Sequence, residues 1–238
     1  MAKEIHKSTI CFAMAVVFVL RFAHTKQLTL GGEGMLLAQD PLNLIICGIG
    51  GQGSLLVSQI ISRTLMKAGF FVTRGETFGA AQRGGAVLST IRISRKQPYG
   101  PLVPEGRAHI VLGMEPLETL RTLKKYGNPR VMCITNTRHI LPIGAILSDE
   151  NKYPGDEELR QAITQLAKRA WFIDSAAIAS KIGTPLVMNV VMIGSLLGTG
   201  LSPLTAAGLK KEIKDIFAPE QADLNLLAIE QGVAVIRA

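Results

Sequence analysis

The first sustained apolar run ahead of a glycine cluster is Leu44-Ile45-Ile46-Cys47, with glycines directly behind it. A short unbroken apolar run closed by turn residues predicts a strand covered on both faces. Over residues 54–68 the pattern changes to Leu55, Leu56, Ile60, Ile61 and Leu65. That spacing is helical, and Gly69 stands where a helix ends. A second strand is expected at 70–73, then a polar, glycine-studded loop from Gly75 to Gly85 that holds Glu76. Val87, Ser89, Ile91 and Ile93 predict a longer strand over Ala86–Ser94. Pro98, Pro101 and Pro104 make 96–106 an irregular connection.

The alternation continues downstream. A strand at 110–114 leads through Glu115-Pro116 into a helix at 117–125, with proline in the first turn, where it is favoured. A strand at 130–135 is followed by a loop at 139–153. A helix at 156–170 carries acid early and base late, as its dipole favours. A strand at 171–174, a helix at 176–182 stopped by Gly183, a helix at 188–197 apolar nearly all round, and closing helices at 203–217 and 221–235 complete the chain. Strands alternating with helices predict an α/β fold: a mostly parallel sheet with helices on both faces, a Rossmann-like three-layer sandwich formed by residues 43–238 as one domain.

Residues 1–42 do not follow this pattern. Lys3 and Lys7 precede an apolar run from Ile10 to Leu20, which Arg21 ends and which is too short for an ordinary membrane-spanning helix. It has the charged start and apolar middle of a signal peptide without a small-x-small cleavage site. Three readings stand: a targeting segment, an accessory helix, or upstream sequence translated from a misplaced start, with Met35 as the functional one. The segment is expected to be an atypical, poorly ordered extension. Residues 1–34 hold Lys3, Lys7, Arg21 and Lys26 against Glu4 and Glu33, so the net charge of +8 falls to +6 without them and the main domain stays basic.

Composition narrows the function. Aromatic residues make up 5% of the chain, which argues against a base-stacking nucleic-acid surface. The basic residues are dispersed, which suits a phosphate-bearing ligand, an acidic partner, or a plain solvated surface. No membrane association is expected. The three cysteines, Cys11, Cys47 and Cys133, form no C-x-x-C pair, so this chain alone is expected to hold no iron–sulfur cluster, no structural zinc and no other metal. Nothing points to disulfides, and a reducing cytoplasm is the default. His6, His24, His109 and His139 are scattered, and no serine or cysteine has an evident base partner.

Two stretches carry candidate chemistry. Gly48-Ile49-Gly50-Gly51-Gln52-Gly53 follows a strand and opens a helix, the arrangement that points backbone N–H groups and a helix N-terminus at an anion. A dinucleotide enzyme would add an acid at the end of the second strand to hold a ribose. Thr73-Arg74-Gly75-Glu76 stands there instead, which leaves an NAD(P)-binding dehydrogenase as an alternative without its ribose acid. The glycines alternatively serve only tight helix–strand packing. In Gln82-Arg83-Gly84-Gly85, one arginine sits among small residues, its planar donor fork suited to carboxylate or phosphate. Arg83 alternatively pairs inside the fold, with Glu76. Glu115 and Asn136 fall at strand ends, where open α/β sheets bind ligands, and capping or turn chemistry explains them equally.

Together these stretches resemble the gamma-type domain of the 2-oxoacid:ferredoxin oxidoreductases, and within that family its indolepyruvate branch. The resemblance rests on the glycine turn, Gln82-Arg83-Gly84-Gly85, Pro101-Leu102-Val103-Pro104-Glu105-Gly106, Met114-Glu115-Pro116-Leu117-Glu118, Asn136-Thr137-Arg138 and Asn189, and spans residues 43–235. It implies a subunit, not active alone, of an enzyme that oxidatively decarboxylates aryl pyruvates with coenzyme A as co-substrate, giving the aryl-acetyl-CoA, carbon dioxide and reduced ferredoxin. Thiamine diphosphate and [4Fe-4S] clusters would sit on a partner alpha subunit. Gly48, Gly50, Gly51, Gln52, Gly53, Gln82, Gly84 and Gly85 would line a cofactor-binding face, with Arg83 supporting catalysis. A gamma subunit acting on pyruvate or another 2-oxo acid, and a non-catalytic assembly module, remain the alternatives.

Overall fold

The computed structural model describes the backbone of residues 15–18, together with residue 37 and residues 39–77, 85–140 and 153–238. In order, its elements are β1 (Ala15–Phe18), β2 (Leu42–Ile49), α1 (Ser54–Lys67), β3 (Phe71–Thr77), β4 (Ala86–Ser94), β5 (Ile110–Gly113), α2 (Pro116–Tyr126) and β6 (Met132–Asn136). There follow α3 (Asp156–Leu166), β7 (Arg169–Ile173), α4 (Ser175–Ile182), a 3-10 turn (Pro185–Val187), α5 (Met188–Thr199), α6 (Ala206–Ile216) and α7 (Pro219–Arg237).

The strands form one sheet in the order β1-β3-β4-β2-β5-β6-β7. Strands β2, β3, β5, β6 and β7 point one way, and β1 and β4 the other, so the sheet is mostly parallel in direction. It departs from strict alternation at β4. β4 lies between β3 and β2, antiparallel to both.

All eight residues of β2 are buried, and they divide by the period of two. Leu44 and Ile46 join Ile60 and Ile61 of α1, Val191 and Ile193 of α5 and Leu209 of α6 on one face. Ile45 and Cys47 join Leu120 and Leu123 of α2 and Leu159 and Ile163 of α3 on the other. The three layers follow, and the unbroken apolar run is the mark of a strand with helices on both sides.

Side-chain caps mark the starts of α2, α4 and α6. Glu115 accepts the Glu118 amide at 2.8 Å ahead of Pro116, Asp174 accepts the Ala177 amide at 2.8 Å, and Thr205 accepts the Gly208 amide at 3.1 Å. Helices α5 and α7 pack with their backbones in contact. A β-carbon on Gly194 would run into the Ile229 carbonyl, and one on Gly232 into the Val191 carbonyl. On the same face Glu212, fully buried on α6, meets Arg63 and Lys67 of α1, each at 2.5 Å, and ties those helices together.

Three sequence expectations need correction. The second strand runs to Thr77, so Glu76 lies in β3 and not in a loop. The helix at 156 stops at Leu166, and Arg169 already belongs to β7. Ala15–Phe18, within the N-terminal apolar run, is a strand antiparallel to β3 and not part of a helix. The rest of that segment lies outside the described residues.

Candidate functional site

The site is assembled where β2, β5 and β6 end. Beyond Ile49 the chain turns through Gly50–Gly53 into α1, and Gln52 folds back over the turn. Its Oε1 accepts the Ile49 amide at 2.6 Å, and its Nε2 donates to the Met114 carbonyl at 3.1 Å, just past β5. Gln52 therefore stitches the turn to the next strand. Gly48 leaves room for this: a β-carbon there would lie 2.7 Å from Gln52 Oε1 and 2.9 Å from Met114 Cβ. Gly53 caps α1 in the left-handed region at φ 76°, with no side-chain cap bond, and a β-carbon on it would run into Asn189 Nδ2 at the start of α5. The N-termini of α1 and α5 thus meet at Gly53. The Gly50 amide donates to the Gly85 carbonyl at 2.8 Å, which brings the end of the β3–β4 connection onto the turn.

Glu115 follows β5, is fully buried, and accepts from the Glu118 amide with one oxygen and from the Tyr153 hydroxyl with the other. Burial, followed by that bond to Glu115, pushes the Tyr153 hydroxyl well above its ordinary value. The Tyr153 ring lies 4.7 Å from that of His139, whose Nε2 is 3.1 Å from Asp156. Asn136, at the end of β6, donates to the Met114 carbonyl at 3.4 Å and accepts from the Ser175 and Arg138 amides at 3.3 and 3.4 Å. Glu115 and Asn136 therefore serve as capping and turn residues. They fix where the strand ends stand.

Of the predicted positions, Gly48, Gly50, Gly51, Gln52, Gly53 and Gly85 come together in this turn. Gln82, Arg83 and Gly84 lie outside the described residues. Glu76 is 8% exposed and takes Arg74 Nε at 3.1 Å and the Ser58 hydroxyl at 2.7 Å on one oxygen. Arg74 thus faces a carboxylate on its own strand. No sequence signal marks Ser58 or Tyr153, because their partners are 18 and 38 residues away. Arg138 lies near Met188 beside a 240 Å³ hollow bordered by Ser180 and Thr184, the cation on this edge that the sequence flagged only as part of a motif.

Nucleophilic chemistry has little footing among the described residues. Burial pushes the Cys47 thiol up to about 12 and the Cys133 thiol well above its ordinary value, which disfavours a thiolate at either. No group of three His, Cys, Asp or Glu among the described residues is disposed to hold a metal. No helix among them is long and apolar enough to cross a membrane. What the edge offers is an uncapped helix start approached by glycine backbone, which suits an anionic ligand.

Residues 43–235 match the family described as pyruvate ferredoxin/flavodoxin oxidoreductase. The chain belongs to this family. It is 37% identical over 191 residues to the indolepyruvate oxidoreductase subunit IorB of Archaeoglobus fulgidus, a match that covers 80% of this chain and 93% of that one. Among solved structures of the oxidoreductase family, the pyruvate oxidoreductase subunit PORC of Thermotoga maritima superposes with a TM-score of 0.60 at 19% identity, over 82% of this chain and 97% of that one. The 2-oxoglutarate:ferredoxin oxidoreductase of Magnetococcus marinus, solved with 2-oxoglutarate, coenzyme A and succinyl-CoA, superposes at 0.64 with 18% identity, over 84% of this chain and 31% of that one. Both share the fold described above.

Proposed function

We propose that this chain is the cluster-free subunit of a cytoplasmic indolepyruvate ferredoxin oxidoreductase, working with an alpha subunit and passing electrons to ferredoxin. The observation that carries the reading is the glycine turn, uncapped and held by Gln52 at the strand ends, in a chain whose identity to an indolepyruvate subunit reaches 37%. Oxidative decarboxylation of an aryl pyruvate would use thiamine diphosphate on the partner to stabilise the carbanion and iron–sulfur clusters there to take up electrons. The buried thiols of Cys47 and Cys133 do not fit a cluster, which agrees with that division of labour.

This chain's own part is to bind and orient coenzyme A. Gly51 fits a phosphate-bearing ligand, because the space around it is open and its backbone can be approached closely. The α1 N-terminus favours negative charge in front of Gly53. Gln52, occupied by Ile49 and Met114, holds the turn's shape, and Asn189 sets the distance to α5. Arg83, which adjoins Gln82, Gly84 and Gly85 in sequence, would hold a carboxylate or phosphate of the ligand through its donor fork.

The test uses the complex purified by a tag on this chain. Coenzyme A-dependent reduction of ferredoxin should be fastest with indolepyruvate, ahead of pyruvate and 2-oxoglutarate. Arg83→Ala should leave the complex assembled and lower turnover strongly. Wild-type turnover in that variant would sink the assigned role of Arg83, and a preference for pyruvate would move the chain to another branch of the family.

A further inference from the structure

The opposite edge of the sheet holds a cavity of about 490 Å³ where β2, β5 and β6 begin. Arg107, His109 and Arg130 line it, with Leu42, Ile110 and Met132 beneath. Two asparagines lock the segments that carry the cations. Asn43, 4% exposed, donates its amide to His109 Nδ1 at 2.8 Å and its side chain to the Arg107 carbonyl at 2.8 Å, and accepts from Arg92 Nε at 3.1 Å. Asn128 donates to the Gly106 and Ala108 carbonyls at 3.1 and 2.7 Å and accepts the Arg130 amide at 3.0 Å. The positions of both arginine segments and of the imidazole are therefore set by the fold.

Among the described residues no carboxylate pairs with the arginines that line this cavity. Arg63, Lys67, Arg74 and Arg121 each pair with a carboxylate. Among the described residues Arg107 and Arg130 have no such partner, and Glu105, two positions from Arg107, faces Lys125 at 3.8 Å instead. Burial, and then the charges of Arg107 and Arg92, hold His109 below its ordinary value. Because Nδ1 accepts the Asn43 amide, the neutral ring carries its proton on Nε2 and keeps a donor free of that bond. Two guanidinium forks and an imidazole N–H over an apolar floor are the recognition set for an oxyanion on a small organic body.

We propose that this cavity binds a small organic anion, its carboxylate or phosphate head held by Arg107, Arg130 and His109, at the edge of the sheet away from the glycine turn. The two sources of that head group are separated by titrating the purified complex calorimetrically with inorganic phosphate and with phenylacetate. Saturable binding of phosphate alone assigns a phosphorylated ligand; binding of phenylacetate assigns a carboxylate with an apolar body. In either case Arg107→Gln or Arg130→Gln should weaken binding by about tenfold or more, since charge-assisted hydrogen bonds are lost. Arg121→Gln, which alters a guanidinium paired with Glu118, should change nothing. A second readout is the His109 ring signal by NMR, whose titration should move to higher pH when the anion is bound. Failure of both probes to bind saturably, or equal binding in the Arg107/Arg130 double variant, would overturn the proposal.

Discussion

Gly48→Ala probes how the glycine turn is held. The new methyl would sit 2.7 Å from Gln52 Oε1 and 2.9 Å from Met114 Cβ, closer than side-chain atoms pack. Met114 is 2% exposed and has little room to retreat, so Gln52 must leave. Its departure breaks the bonds to the Ile49 amide and the Met114 carbonyl, worth about 1 kcal/mol each. Residual crowding against Met114 adds about 1–2 kcal/mol, as overpacking does, for a total near 3–4 kcal/mol. Gln52→Ala alone should cost about 2 kcal/mol, since it loses the same two bonds without crowding. The double variant has lost those bonds only once and has gained space, so it should cost about 3–4 kcal/mol and not the sum of the singles. Urea unfolding of the full chain, with all four proteins compared at a common m-value, measures the cycle. A single Gly48→Ala cost below about 1 kcal/mol, or simple additivity, would refute the account of Gln52 as the stitch between turn and strand.

Three further outcomes are expected. Gly194→Ala and Gly232→Ala, where the methyl meets a carbonyl of the facing helix, should each destabilise by about 3 kcal/mol or more because backbone cannot step aside; Gly155→Ala, in open space, is the control in thermal unfolding. Tyr153→Phe keeps the ring beside His139 but takes the donor from buried Glu115, and should cost about 1–3 kcal/mol; an unchanged melting temperature would show the hydroxyl to be idle. Burial, and then the charges of Arg107 and Arg92, hold the folded value of His109 below the ordinary 6.5, so the unfolded chain binds the proton more readily. Its contribution is therefore present above pH 6.5 and is lost as pH falls through the lower folded value. Stability measured across that window should slope upward with pH, and more weakly in His109→Gln.

The layers were legible because β2 is apolar on both sides and α1 on one, patterns that local spacing records. The limits of β3 were not. Arg74, Gly75 and Glu76 look like a loop until Ser58 and Arg74 supply the bonds that let Glu76 be buried. Leu166 to Ala170 would suit a helix, but the Lys168 amide is taken by the Val131 carbonyl at 2.8 Å and the next residue pairs with β6. Here tertiary pairing overrides local preference. The glycine turn announced itself through residue type, whereas the Glu115–Tyr153 contact joins positions with no shared periodicity. The cavity at the other edge drew no notice because its arginines are ordinary surface residues until Asn43 and Asn128 are placed.

The reversal of β4 has one more consequence. A strand joined to its parallel neighbour by a helix returns to the opposite edge before the next strand starts. By running back beside β2, β4 begins next to Ile49, opposite Ala86, so the β3–β4 connection ends beside the glycine turn. The fold thus anchors the segment 78–84 at Thr77, where β3 ends, and at Gly85, whose carbonyl takes the Gly50 amide of the glycine turn. Such a segment can change length or sequence between relatives while β2, α1 and their core stay as they are. Grafting residues 78–84 from a relative of different preference should therefore leave stability near that of the parent chain, and a shift of substrate preference in the graft would support the role proposed for Arg83.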